Sequence, residues 1–505
     1  MTTNIIDFWK ANPNYWITSP SKYKEVDEII SKLFWNYNWP NDNLIGQIIY
    51  LDQFSRHFER IGYISELHLE IYRNQAIDLI KDNLYKLISM DEIEIIFALM
   101  PFKHLKLYDF IFEYLHNTWL PESSKKLIDF PQLQKFYIDT YKKAFTLDIV
   151  EKNIITKHNL EPYSASLICD YYPHKYVSSD WNIDSYQAVK DEKLLDLLNF
   201  DKKVTISLSG GVDSMVLLTL LKHKGVDVEA VHIIYGNRNE SVHEYRLLAE
   251  FCNRLDVKLY VYKIQWLKRG EIDRQFYEDM TRNLRFAVYH AVSEGEPNII
   301  LGHIKDDIVE NIWSNIAHCH HLENLKKMEE EELQLGVRII RPFLTAEKAD
   351  IYRVSQLLAI PYFKNTTPSW SNRGKFREHF YQATIEQYGE GIDTKLIEFA
   401  DAIQSQNKLL NILLYDPIYK SFKDNTVNIT TAFNTKIDAN SWLIIYEHIC
   451  HKFIGCSRPH IKSVREFTIR LYKPWTHFNI TVSKGLKIQI IKNKDSQYIM
   501  EFIIL

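Results

Sequence analysis

The chain has 505 residues but only five cysteines, 15 glycines and 15 prolines. Cys169, Cys252, Cys319, Cys450 and Cys456 are odd in number, scattered and free of any CxxC. That excludes a disulfide framework and a four-cysteine zinc site, and fits a reducing compartment. So little glycine and proline excludes collagen-like and low-complexity chains, and no fixed repeat is visible. No uninterrupted run approaches the roughly 20 apolar residues of a membrane span. The amino terminus, MTTNIIDFWKANPNYW, lacks a basic stretch followed by an apolar core. The expectation is a soluble, unprocessed, cytoplasmic protein with no membrane partner. Charge of one sign is also missing: 61 basic against 65 acidic residues leave −4, without the positive excess that advertises nucleic-acid binding. The balance is uneven, however, because residues 451–505 hold ten Lys or Arg against three acidic residues, a local +7. What remains is ordinary globular composition, 46% hydrophobic and 25% charged, long enough for about three domains.

Hydrophobic periodicity divides the chain into four stretches. Residues 1–150 are helical in pattern: Leu69, Tyr72, Ala76, Ile80, Leu84 and Leu87 step by three or four along one stripe, which predicts a helix over 67–88 that must pack on others. Similar patterns run over 22–35, 44–58, 91–115 and 133–145, with breaks expected at Asn41 and Pro121. Residues 151–200 are polar and aromatic and read as a connector. From Val204, short β-rich runs (VTISL, DVEAVHII, KLYVYKI, NIILG) alternate with helical stretches. Such alternation predicts parallel strands with crossover helices over 201–395, a doubly wound α/β domain whose ligands sit at the strands' carboxyl ends. Residues 396–505 turn helical again and end in alternating runs that predict a small sheet, an α+β region with the basic tail.

The most informative segment is Ser209-Gly210-Gly211-Val212-Asp213-Ser214, which joins the first β-run to a helix. Unpaired N–H groups of the turn and the helix start then point at one place, an anion site. The glycines remove Cβ atoms where a phosphate approaches, and the two serines add hydroxyl donors. The lysine of GxxxxGK[ST] is absent, so the grip differs from an ordinary P-loop. After the NIIL run comes Gly302-His303-Ile304-Lys305-Asp306-Asp307-Ile308-Val309-Glu310. Asp307 and Glu310, three apart on a helix, share a face and offer oxygens to Mg²⁺, or else simply complement the helix dipole.

SGGVDS between strand and helix resembles the pyrophosphate loop (PP-loop) of the N-type ATP pyrophosphatases, and GHIKDDIVE resembles the GHxxDDxxE signature of the tRNA(Ile)-lysidine synthases within that group. Further stretches match the latter family in order: Val231-His232 to Arg238-Asn239-Glu240-Ser241, Thr281-Arg282-Asn283-Leu284-Arg285-Phe286, Arg341-Pro342-Phe343-Leu344, and Arg373-Gly374-Lys375-Phe376-Arg377. The resemblance covers about 200 to 390. It implies ATP contacts at Ser209 to Ser214, His232, Arg282, Gly302 and His303; Mg²⁺ at Asp307 and Glu310; tRNA contacts at Arg238, Arg285, Arg341 and Arg373; and catalytic roles for Asp213, Asp306, Asp307 and Arg377. The arginine fork suits phosphate, although a single arginine is ordinarily a solvated surface residue. The chain departs from the family pattern at Tyr235, in place of its second histidine, at His318-Cys319, in place of Arg-Gly, and at Gly374, in place of asparagine. The run from His318 to His321 places only its two ends on one face, too few ligands for zinc.

The amino-terminal stretch has its own resemblance. Leu44 to Arg56 (LIGQIIYLDQFSR), with Asp7-Phe8-Trp9 before it and Phe97 to His104 (FALMPFKH) after it, is similar to a family of tetratricopeptide-like helical proteins without an assigned reaction. Asp52, Gln53, Arg56 and His104 form either a polar pocket or a hydrogen-bond network tying helices together. The region is also expected to serve self-association or a protein partner.

The resemblance implies that ATP adenylates the wobble cytidine of tRNA(Ile), that pyrophosphate leaves, and that lysine then displaces AMP, with the basic tail on the tRNA backbone. Two rivals stay open: a tRNA thiolase of the same fold, which usually carries paired cysteines absent here, and a tRNA-binding scaffold with a vestigial ATP site.

Overall fold

The computed structural model describes residues 4–15, 23–158, 192–200, 203–237, 241–293, 295, 297–318, 324–363, 371–456, 459–475, 478–483, 485–493 and 495–504. The chain forms two compact units, residues 1–305 with 329–368, and residues 306–328 with 369–505.

The first unit is built on a six-stranded sheet of β1 (Val204–Ser207), β2 (Val228–Ile234), β3 (Leu259–Lys263), β4 (Asn298–Leu301), β5 (Glu331–Gln334) and β6 (Val337–Ile340). The order is β3-β2-β1-β4-β6-β5, parallel except for the β5–β6 pair. All seven residues of β2 are buried, as befits a strand covered on both faces. Its side chains alternate between two cores. Val228, Ala230 and Ile234 join Ile206, Ile300 and the helix Val212–His223 in one core. Val231 and Ile233 join Ile299, Ile339, the helix Arg274–Val292 and the amino-terminal helices in the other. The helical region thus shares an apolar core with the sheet. Tyr141 Oη donates to the Gln265 carbonyl at 2.8 Å, Tyr137 Oη donates to that of Trp266, and Ile155 exchanges both backbone hydrogen bonds with Val261 of β3.

Several local expectations needed correction. The helix predicted over 67–88 is two, Glu66–Lys81 and Leu84–Leu87; the stripe survives in buried Leu69, Ala76, Ile80 and Leu87, but polar Asp82 and Asn83 interrupt the ladder. The run over 91–115 is broken after the helix Glu92–His104, where Lys106 takes φ +60°. Pro121 does not break the helical run: it follows the widened turn Leu115–Trp119 and lies in the short helix Leu120–Ser123, which ends at Ser124 with φ +53°. The β5–β6 hairpin was not foreseen. Its turn, Leu335-Gly336, has φ of +47° and +78°, the two-residue geometry that fits strand twist.

The second unit holds an antiparallel sheet of β7 (Thr426–Asn428), β8 (Phe478–Ser483), β9 (Leu486–Lys492) and β10 (Tyr498–Ile504), in the order β7-β10-β9-β8. Trp442 and Tyr446 of the helix Ala439–Ile449 and Phe467 of the helix Ile461–Leu471 pack with Ile488 and Phe502 from the sheet. Among the described residues, no helix is long and apolar enough to cross a membrane.

Candidate active site

The strand order changes direction on either side of β1, so the crevice at the carboxyl ends of β1 and β4 is the topological switch point. The Ser209–Ser214 loop leaves β1 there. Gly210 has φ +85°, a conformation that costs an L-residue roughly 1–2 kcal/mol; its carbonyl accepts from Phe363 N at 2.9 Å. The serines brace the turn from within: Ser214 Oγ donates to the Gly211 carbonyl at 3.0 Å and lies 3.1 Å from Ser209 Oγ. Gly302, just after β4, closes the crevice. A Cβ there would stand 3.0 Å from Ser214 N and 3.1 Å from Ser214 Cα, so glycine lets the end of β4 come this close to the start of the helix Val212–His223.

Asp213, expected to be catalytic, is gripped by Lys348, whose Nζ donates to both carboxylate oxygens at 2.7 and 2.8 Å. Sequence reasoning missed Lys348. Its one signal is a lysine opening the helix Lys348–Leu357, where acidic residues are usual. His232 stands on β2, fully enclosed. Its Nδ1–H donates to the Leu208 carbonyl at 2.8 Å, and burial holds its pKa down at about 4. The neutral ring leaves Nε2 as a buried acceptor without a partner.

The expected arginines diverge. Arg282 is exposed and reaches Gln334 at 3.4 Å. Arg285 is half-buried beside the Phe286 ring, and its Nε, like that of Arg246 on the helix Ser241–Arg254, is buried without a partner. Arg246 is a second residue that the sequence did not flag. Arg341, expected on tRNA, is only 3% exposed. Its guanidinium donates to His303 Nδ1 at 3.0 Å, to the Glu329 carbonyl at 2.8 Å and to Glu332, which leaves it no exposed face for a tRNA phosphate. Arg238 lies outside the described residues.

In the second unit, Asp306 and Asp307 occupy the first turn of the helix Lys305–His318, with Glu310 one turn on. Asp307 and Glu310 are buried and paired with two arginines. Arg373 donates to Asp307 Oδ1 at 3.0 Å and to Glu310 Oε1; Arg377 donates to Asp307 Oδ1 at 2.7 Å and to Glu310 Oε2 at 3.0 Å. Two guanidinium forks therefore engage three of the four carboxylate oxygens that were expected to hold Mg²⁺. In this arrangement the pair does not fit the ion, which needs open oxygens at near-octahedral geometry. Gly374, at the departure from the family pattern, is buried, and its N–H caps onto Ser371 Oγ at 3.0 Å. His318 is exposed, with Nδ1 2.8 Å from the Ser314 carbonyl. Cys319 lies outside the described residues. The Cys252 thiol is buried and pushed up to about 12, out of range for thiolate chemistry.

A family model described as a PP-loop domain matches residues 185–380. The tRNA(Ile)-lysidine synthase of Chlamydia pneumoniae is 30% identical over 227 residues, 43% of this chain and 70% of that protein. The chain belongs to the tRNA(Ile)-lysidine synthase family. The family's enzyme from Chlamydia felis is 28% identical over 315 residues, 61% of this chain and 95% of that protein. Among solved structures, a U34-tRNA thiolase from Methanococcus maripaludis overlaps 42% of this chain and 77% of its own, with a TM-score of 0.34 and 17% identity. Membership of the lysidine synthase family makes the chain a ligase-type enzyme with an ATP-utilising PP-loop domain.

Proposed function

We propose that the chain converts the wobble cytidine of tRNA(Ile) to lysidine. The cytidine carbonyl oxygen attacks the α-phosphorus of ATP, and pyrophosphate departs. The neutral ε-amine of lysine then adds to the activated ring carbon, and AMP leaves with the former carbonyl oxygen. Adenylation is needed because an amide-like oxygen is a poor leaving group, whereas AMP is a good one.

The observation that carries this reading is the Ser209–Ser214 loop held against Gly302 at the switch point, in a chain of this family. Backbone N–H groups there are preorganised for charge developing on the departing pyrophosphate, the kind of stabilisation that contributes most to such transfers. Lys348 fixes Asp213 at the helix start and adds a cation beside the phosphates. His232 Nε2, buried and neutral, accepts a hydrogen bond from the nucleotide. Arg285 and Arg246, each with a buried unpartnered Nε–H, are donors for substrate. Asp306, half-buried at a helix start, accepts the proton of the incoming ammonium, since only the free amine is nucleophilic. Arg373 and Arg377 hold Asp307 and Glu310, and Mg²⁺ coordination by that pair requires the arginines to leave; the chemistry above does not depend on it. The basic segment 451–505 grips the tRNA backbone, with an affinity that falls as salt rises. The division at residues 150, 200 and 395 and an association role for the helical region belong to the same proposal.

The test is nucleoside analysis by mass spectrometry after incubation with ATP, unmodified tRNA(Ile) and lysine. Cytidine that gains lysine, and that is lost in Ser214→Ala, supports the reading. Modification only with a sulfur donor replaces it with the thiolase, and tRNA binding without any modification replaces it with the scaffold.

A further inference from the structure

The helical region holds a second concentration of charge, built from residues that the proposed reaction does not use. Asp27 lies on the helix Tyr23–Phe34, and Arg73 on Glu66–Lys81. Asp52 sits in the widened turn Tyr50–Phe54, with Arg56, His57 and Arg60 on Ser55–Arg60 directly after it, and His104 ends Glu92–His104. A single widened turn inside a helix recurs at functional sites.

Both carboxylates are fully committed. Asp27, 3% exposed, takes the Arg60 fork, with Nε at 2.9 Å, and has His57 Nδ1 at 2.7 Å. Asp52, with no exposed surface, accepts from Arg73 Nε at 3.3 Å and His104 Nδ1 at 2.8 Å, and from the Gln53 amide. With its Nδ1 proton on Asp52, His104 turns a lone pair on Nε2 toward Arg56 Nη1, 3.2 Å away. Among the described residues that is the one hydrogen bond of Arg56, and no carboxylate lies within ion-pair reach of it.

Arg56 is half-buried all the same. Burial and the neighbouring charges of Arg73 and Arg60 push its pKa down, so the native arrangement crowds a cation against two others. His57 adds no charge, because burial holds it at about 4. Three guanidinium groups thus face two carboxylates, and the donors left over are the Nε–H and Nη2 of Arg56 and the Nη groups of Arg73. A partly desolvated cation whose nearest carboxylate, Asp52, is already bonded to Arg73 and His104 is costly. A surplus of planar donors around it is the chemistry that recognises an oxyanion.

We propose that Arg56, with Arg73 beside it, binds a small oxyanion, a phosphate or carboxylate group, in the helical region. The site is independent of the Ser209–Ser214 loop and of lysidine formation.

The experiment is calorimetric titration of inorganic phosphate and, separately, of sodium acetate into the full-length chain carrying Ser214→Ala, which weakens the phosphate loop. Binding of one probe is expected, about tenfold or more weaker in Arg56→Gln and partly recovered in Arg56→Lys, which keeps the charge but not the fork. Phosphate or acetate as the preferred probe names the source of the oxyanion. Failure of both probes to bind, or binding that Arg56→Gln leaves unchanged, overturns the proposal. Without anion, Arg56→Gln is expected to melt at or above the parent temperature, because it relieves like-charge crowding. A drop of about 4 °C or more instead assigns Arg56 to holding the helices together, which also overturns it.

Discussion

The Ser209–Ser214 loop and the cluster around Arg56 both present positive potential, but they are made of different material. The loop has one charged side chain, Asp213, already matched by Lys348, and offers backbone N–H groups. The cluster offers guanidinium groups from two separate helical segments, held by two aspartates that are themselves buried. A site of backbone donors depends on glycine where chains approach; one made of side chains depends on its counter-charges. The two regions therefore fail under different substitutions.

The largest effect is expected at Gly302. A valine there drives a branched side chain into the Ser214 backbone, and tRNA-dependent AMP formation should fall by about three orders of magnitude, since misplacement by ~1 Å costs at least about a hundredfold. Near-parental rates in Gly302→Val would break the loop half of the comparison. Next is Asp52→Ala, which strands Arg73 and His104 beside Arg56 and should cost about 3–5 kcal/mol of stability, measured by urea unfolding. Added anion should return part of that loss if the Arg56 site is real.

Acid should reveal one histidine in each region. His57 and His232 are both held near 4 by burial, below the unfolded value of roughly 6.5. Between those values the unfolded chain binds more protons, so stability falls as pH drops from about 6.5 toward 4 and is flat above. Each histidine contributes up to about 3 kcal/mol at the acid end. His57→Gln and His232→Gln should each flatten part of that slope, and an unchanged slope in both would remove burial as its cause. The smallest effect is at Lys348. Lys348→Met removes the cation that grips both oxygens of Asp213 in a partly exposed pair and should lower kcat/KM for ATP by about tenfold, with little change in melting temperature.

The same contrast explains what the sequence revealed. The loop is contiguous, and its glycines and serines are rare enough in a strand-to-helix turn to announce an anion site; the parallel strands announced themselves as unbroken apolar runs. Lys348 carries no such signature, because it reaches Asp213 from a helix that begins more than 130 residues later. Asp52, Arg56 and His104 could be named as polar residues near one another, but Asp27, Arg60 and Arg73 could not. Their pairings join helices whose spacing only tertiary packing fixes. The β5–β6 hairpin was hidden by Glu331 and Glu332, edge-strand residues poor in β-propensity. The pairing of Arg373 and Arg377 with Asp307 and Glu310 is not legible in the sequence, because carboxylates in that spacing equally suit a cation and arginines equally suit a phosphate.

The most direct measurement is product analysis from ATP labelled at the α-phosphate and, in parallel, at the γ-phosphate, with tRNA present and absent. With lysine supplied, AMP is expected from the first label and pyrophosphate from the second, both dependent on tRNA. ADP with inorganic phosphate, or a rate indifferent to tRNA, would contradict the proposed function.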